Sequence, residues 1–267
     1  MEDFKGETLS WQLREEVIEL ALHRPPANEM GRATLVELER FVAEVETVAD
    51  RASVLIIHSL LKSGFSAGGD LHELFAYALE AGATDRGSGI RPFLELSHRL
   101  FAAIDTFPLV TIAAVHGVCF GSGFEIALVC DLIIADKTTR FCFPELRLGF
   151  IPVAGGIPRL KRDLGNGVVR DLLLTGRSIS ADKAMAVGLL SEVVADGQAL
   201  TVARSTATQI KRYDPAARVA AKRFIKPVPE EDLRREIDIF CSLFSRPAVV
   251  SGLRKFVENR TVMPHLP

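Results

Sequence analysis

Gly121-Ser122-Gly123-Phe124-Glu125-Ile126-Ala127-Leu128-Val129-Cys130 sets a glycine-rich turn directly before a short apolar helix that carries one carboxylate. The apolar run 109–115 lies upstream, and Leu132-Ile133-Ile134-Ala135 lies downstream. Runs of this length and composition read as buried strands on either side of the helix. Further out, Leu35, Leu38, Phe41, Val42 and Val45 fall at helical spacing, and Val54-Leu55-Ile56-Ile57 is a further buried strand. Strands alternating with helices predict an α/β fold, with a largely parallel sheet and helical crossovers.

Residues 11–22 alternate as a half-exposed strand would, and Arg24-Pro25-Pro26 stops them. Residues 71–90 mix charge with Gly82, Gly87 and Gly89, the composition of a mobile flap with a poorly ordered tip at Gly87-Ser88-Gly89, before helical periodicity resumes over 94–104. From residue 158 on helices dominate, over 165–174, 180–188, 199–213, 215–224 and 230–244. In the last, Leu233, Ile237, Phe240, Cys241 and Phe244 form one apolar stripe, read as core or subunit packing. Two regions follow, a core over 1–200 and a helical region over 201–267.

The chain has 267 residues, 48% of them hydrophobic, enough for a sizeable core. With 32 basic and 34 acidic residues the formal charge is −2, so no global field recruits nucleic acid or an anionic membrane. No apolar run approaches membrane-spanning length, and the N-terminal residues have early acids and no signal-peptide core. Cys119, Cys130, Cys142 and Cys241 lie in apolar runs without CxxC spacing, which predicts buried free thiols, a cytoplasmic protein and no metal site.

Glu125 and Glu145 each stand in an apolar setting behind glycine-rich sequence, the second within Phe143-Pro144-Glu145-Leu146-Arg147-Leu148-Gly149. An unpaired buried carboxylate costs several kcal/mol unless it is used or satisfied, so the pair is the candidate for general acid/base chemistry. Gly64-Phe65-Ser66-Ala67-Gly68 matches the G-x-S-x-G nucleophile elbow, but residues 60–63 separate Ser66 from the strand that an elbow requires. Gly121-Ser122-Gly123 begins a dinucleotide fingerprint that Ile126 breaks at its third glycine. His116, between Val115 and Gly117, reads as a packed histidine before a base.

Taken together, Ser66-Ala67-Gly68-Gly69-Asp70-Leu71, Ala113-Ala114-Val115-His116-Gly117, the 121–131 segment and Phe143-Pro144-Glu145 resemble the enoyl-CoA hydratase/isomerase (crotonase) family. Leu174-Thr175-Gly176, Ser180-Ala181 and Gly188-Leu189 carry the resemblance onward. It implies a spiral of ββα/βαβ turns with a C-terminal helical region used for trimerisation, a homotrimer or homohexamer, and an acyl-CoA substrate with no further cofactor. It also implies that the N–H groups of Ala67 and Ser122 bind the thioester oxygen, while Ala67, Gly68, Gly69, Asp70 and Leu71 line the adenine end of CoA. Hydratases of the family keep two glutamates, at the positions of Glu125 and Glu145. Glu125 then deprotonates water and Glu145 exchanges the proton at C2. Ser122 replaces the usual middle glycine, Val153 a usual glycine and Gly69 a common alanine, and the long 72–91 segment suits a branched, cyclic or aromatic acyl group.

Overall fold

A computed structural model describes residues 3–82 and 85–258. Its larger sheet has seven strands in the order β1 (Phe4–Lys5), β2 (Leu9–Arg14), β3 (Val17–Leu22), β4 (Val54–Ser59), β6 (Val110–Val115), β8 (Leu132–Asp136) and β11 (Glu192–Val194). The first three strands pair antiparallel, and every pairing from β3 to β11 is parallel. A smaller sheet runs β10 (Ile179–Ser180), β9 (Arg140–Cys142), β7 (Val118–Phe120), β5 (Gly64–Ser66). The pairs β4 and β5, β6 and β7, and β8 and β9 therefore each give one strand to each sheet. That repetition is the spiral, and solved structures described below share it.

The expected single strand over 11–22 is instead a hairpin, because Glu15 and Glu16 both adopt positive φ, 47° and 67°. Two left-handed residues are what a two-residue hairpin turn requires, but glutamate gives no glycine or asparagine signal for it. Helix α1 (Arg32–Glu46) buries Leu35, Leu38, Phe41, Val42 and Val45, as their spacing predicts.

The flap is also corrected. Asp70 caps helix α2 (Leu71–Glu80) by accepting from the N–H groups of His72 and Glu73, and α3 (Arg86–Thr106) begins before the supposed tip. Gly87 and Gly89 lie inside α3, where a β-carbon would collide with Cys241 O and Tyr77 Oη respectively. They permit close helix packing and do not mark a loose chain. Residues 83 and 84, within that expected flap, lie outside the described residues.

The apolar stripe on α10 (Glu230–Phe244) is core within the chain: Phe240 and Phe244 join Leu94, Phe150 and Leu253 in one buried cluster. Helix α11 (Pro247–Glu258) lies beside it. The four cysteines are buried and free. No described helix is long and apolar enough to cross a membrane.

Candidate active site

One cavity of about 670 Å³ gathers the candidate residues. Its lining includes Ala67, Gly68, Gly69, Asp70 and Leu71 from the turn after β5, and Ser122 and Glu125 from helix α4 (Ser122–Leu128). Glu145 enters from a 3₁₀ turn (Glu145–Leu148). Much of the remaining wall is apolar, with Leu74, Tyr77, Phe93, Phe101, Phe150 and Phe240 from α2, α3, the segment after the 3₁₀ turn, and α10; Arg32, Glu73, Glu80 and Ser97 are its polar members.

Glu125 is 1% exposed, and its Oε1 accepts the backbone N–H of Ala154 at 2.7 Å and of Gly156 at 2.9 Å. Both donors flank Gly155, whose φ of +92° makes the turn into α5 (Gly156–Leu164). Burial pushes the Glu125 carboxyl up to about 7, Glu236 adds to this, and the two N–H donors oppose it. It therefore exchanges protons near neutrality.

Glu145 is held well above the ordinary carboxylate range, first by burial and then by the Glu125 charge. Its Oε2 is buried without a hydrogen-bond partner. A β-carbon on Gly121 would sit 2.5 Å from Glu145 Oε1, so glycine at 121, with φ of +48°, makes room for the carboxyl. Two buried carboxyls that interact, one near 7 and one above its usual range, have the protonation behaviour that acid/base chemistry near neutrality requires.

The backbone donors differ from those expected. Ala67 N–H donates to Ala27 O at 2.9 Å and is spent inside the fold. Met30 pairs with the same segment on both sides of Gly69, its N–H donating to Gly68 O and its carbonyl accepting from Asp70 N–H. Among the described residues, that pairing leaves the Gly69 N–H without a backbone acceptor. Ser122 is the first residue of α4, where helical geometry supplies no partner for an N–H. A β-carbon on Gly69 would lie 3.8 Å from Ser122 Oγ, so the two turns are adjacent. Between Ala67 and Gly69, the open donor of this turn is thus the Gly69 N–H, because the Ala67 N–H is taken by Ala27 O.

The remaining motifs resolve structurally. Ser66 Oγ donates to Asn28 O at 2.7 Å and accepts from Gly68 N–H at 3.2 Å, so the hydroxyl braces the turn and has no base beside it. His116 Nε2 is 2.8 Å from Leu61 O, a packed histidine. Glu145 opens a 3₁₀ turn and does not end a second strand, as a ribose-binding acid would. Asp70 caps α2 and meets Arg24 Nη2 at 2.6 Å; burial would raise its carboxyl, but the Glu73 N–H and Arg24 outweigh that and leave it lowered.

Two residues behind the site were not foreseen. Glu236 on α10 accepts the Gly155 N–H at 2.8 Å, and His98 Nε2 on α3 lies 2.6 Å from Val153 O. A signal for Glu236 exists: it stands three residues after Leu233 and four before Phe240, a charge on the apolar face of its helix.

The family described as enoyl-CoA hydratase/isomerase matches residues 12–263. The chain is 33% identical over 254 residues to the 2,3-dehydroadipyl-CoA hydratase of Escherichia coli strain K12, covering 93% of this chain and 94% of that protein. It is 31% identical to the short-chain-enoyl-CoA hydratase of Clostridium acetobutylicum, covering 92% and 93%. An enoyl-CoA hydratase structure from Bacillus anthracis superposes with a TM-score of 0.75 at 29% identity, covering 96% of this chain and 98% of that one. A structure from Xanthobacter autotrophicus Py2 reaches a TM-score of 0.83 at 24% identity, over 94% and 93%, and supports the fold.

Proposed function

Because the chain belongs to the enoyl-CoA hydratase/isomerase family, we propose that it adds water across the 2,3-double bond of an enoyl-CoA thioester, with Glu125 and Glu145 as the acid/base pair. The observation that carries this reading is the shared cavity. Two buried, interacting carboxyls line it together with Gly69 and Ser122, whose N–H groups have no backbone acceptor among the described residues.

The Gly69 and Ser122 N–H groups receive the thioester oxygen, and each such donor is worth about 3 to 4 kcal/mol when charge develops there. Glu125 is gripped through Oε1 by Ala154 and Gly156, which leaves Oε2 to orient a water. As ionised Glu125 takes a proton from that water, oxygen bonds to C3 and the π electrons move to the thioester oxygen as an enolate. Glu145, kept protonated by burial and by its neighbour's charge, delivers its proton to C2. Water's oxygen and one hydrogen end on C3, and the proton at C2 comes from Glu145. Passing the proton held by Glu125 back to Glu145 resets the pair. Each acid/base role is worth roughly two to four decades of rate.

The acyl tail this cavity suits is apolar. Among the described residues Arg32 is the one cationic side chain lining it, against six apolar or aromatic side chains from Leu74 to Phe240. A terminal carboxylate, as the name of the Escherichia coli relative implies for its substrate, would meet one hydroxyl, that of Tyr77, and no cation along those six side chains. The 67–71 turn is the proposed seat of the CoA moiety.

A trimer or hexamer is part of the same reading. Phe224 and Ile225, at the end of α9 (Pro215–Ile225), are 89% and 75% exposed and give an apolar surface for subunit contact. Four buried free thiols fit a reducing cytoplasm. A turnover panel of enoyl-CoA thioesters, varied in length, branching and terminal charge, tests the activity, with apolar tails expected to give the highest kcat/KM. Light scattering tests the assembly, and a monomer at micromolar concentration would contradict it.

A further inference from the structure

The N–H groups of Ala154, Gly155 and Gly156 are consecutive, yet they serve two carboxyls. The outer two go to Glu125 Oε1, and the middle one goes to Glu236 Oε2. Glu236 reaches this turn from α10, is 4% exposed, and keeps Oε1 buried without a partner. Its Oε2 also lies 3.5 Å from His98 Nε2, the nitrogen beside Val153 O. Beneath the same turn, Arg159 Nη1 donates to the carbonyls of Ala154 and Gly155, and its Nε is anchored to Asp105 at 2.7 Å.

We propose that Glu236, with His98, is a positioning residue that fixes the 153–156 turn in the arrangement that aims Glu125 and that couples its own charge to Glu125. This rests on the hydration reading above. A neutral amide or a carbonyl would satisfy one N–H at far lower desolvation cost than a carboxyl with an orphaned oxygen. What the carboxyl adds is a titratable charge next to the catalytic one.

The groups facing Glu236 are His98 from α3, Glu125 from α4, Glu145 from the 3₁₀ turn and Arg159 from α5, with Asp232 on its own helix. Burial pushes Glu236 up to about 8, against the Gly155 N–H and Arg159. After burial, the repulsion between the two carboxyls is the largest influence on Glu125. Because Glu125 ionises first, near 7, that repulsion is felt by Glu236: an ionised Glu125 keeps the proton on Glu236.

The test compares Glu236→Gln, whose amide oxygen still accepts the Gly155 N–H, with Glu236→Leu, which cannot. In Glu236→Gln the ascending limb of the pH profile of kcat/KM is expected to stay within about 0.3 unit of the wild type, because Glu236 is neutral where Glu125 titrates. The kcat of Glu236→Leu is expected to fall at least about tenfold below that of Glu236→Gln, with KM within about threefold. An infrared titration of the Glu236 carboxyl, assigned by its loss in Glu236→Gln, needs no turnover. It should move down by at least about half a unit in Glu125→Gln, even if no enoyl thioester proves to be a substrate. An unmoved Glu236 titration in Glu125→Gln overturns the coupling, and equal kcat in the Gln and Leu variants overturns the positioning. Should Glu236→Leu fail to fold, the Glu236 titration in Glu125→Gln decides alone.

Discussion

The N–H of Gly156 donates to Glu125 Oε1 at 2.9 Å, and a methyl group at 156 would stand 2.8 Å from Glu125 Cγ and 2.7 Å from Phe143 Cζ. The position holds the carboxylate by its backbone and makes space for it by lacking a side chain. Gly156→Ala should therefore push Glu125 off its donors, lowering kcat at least about tenfold. Steady-state kinetics beside a melting curve checks this. Wild-type kcat in a stable variant would show that the turn yields without moving Glu125.

Glu125→Gln and Glu145→Gln should each reduce hydration at least about a hundredfold while preserving the fold, since each removes a proton-transfer group at nearly constant volume. The two differ in a second assay. Glu145→Gln alone should suppress deuterium incorporation at C2 of a saturated acyl-CoA in heavy water. Near-normal turnover by either variant would remove it from the acid/base pair.

Ser122→Pro should cost about two to three decades in kcat, because it deletes the N–H at a helix position where proline is otherwise well accommodated. Circular dichroism should remain that of the wild type. Ser66→Ala removes the bonds to Asn28 O and Gly68 N–H and should cost about 1 to 3 kcal/mol of stability, with only a few-fold change in turnover. Complete loss of activity in folded Ser66→Ala would restore the nucleophile reading.

Stability should carry a signature of the buried carboxyls. Glu125 titrates near 7 and Glu236 near 8 in the fold, and Glu145 is raised as well, against 4.5 in an unfolded chain. Below about pH 4.5 both states hold these protons. As pH climbs to about 8 the unfolded chain has already released them, so the stability these groups contribute at low pH is lost. His98, lowered from 6.5 by burial, works the other way below neutrality. Urea midpoints at pH 5 and pH 8 should therefore fall less in Glu236→Gln than in the wild type. An equal or larger fall in the variant would contradict the raised Glu236 carboxyl.

Much of this was legible because burial leaves a periodic trace. Helix α1, strand β4 and the carboxylates at 125 and 145 stand out from their apolar neighbours. The hairpin at Glu15 and Glu16 did not, since a left-handed glutamate looks like any surface glutamate. Gly87 and Gly89 were misleading for a related reason: glycine permits both a loose chain and a tight helix contact, and only Cys241 and Tyr77 reveal which. The change of donor from Ala67 to Gly69 depends on Ala27 and Met30, some forty residues upstream in the chain. Glu236 was hidden by distance too, lying 81 residues from the Gly155 it holds.

Helix α10 supplies both Phe240 to the cavity wall and Glu236 to the turn beneath Glu125. In order of synthesis, Glu125, Glu145 and every described strand leave the ribosome before it does. Until then the Glu125 cradle lacks its third anchor, and the wall that keeps solvent off the carboxyls is open. A nascent chain arrested at residue 229 would thus hold both carboxylates without the helix that braces the turn beneath Glu125 and walls the cavity, so the last described helices complete the site.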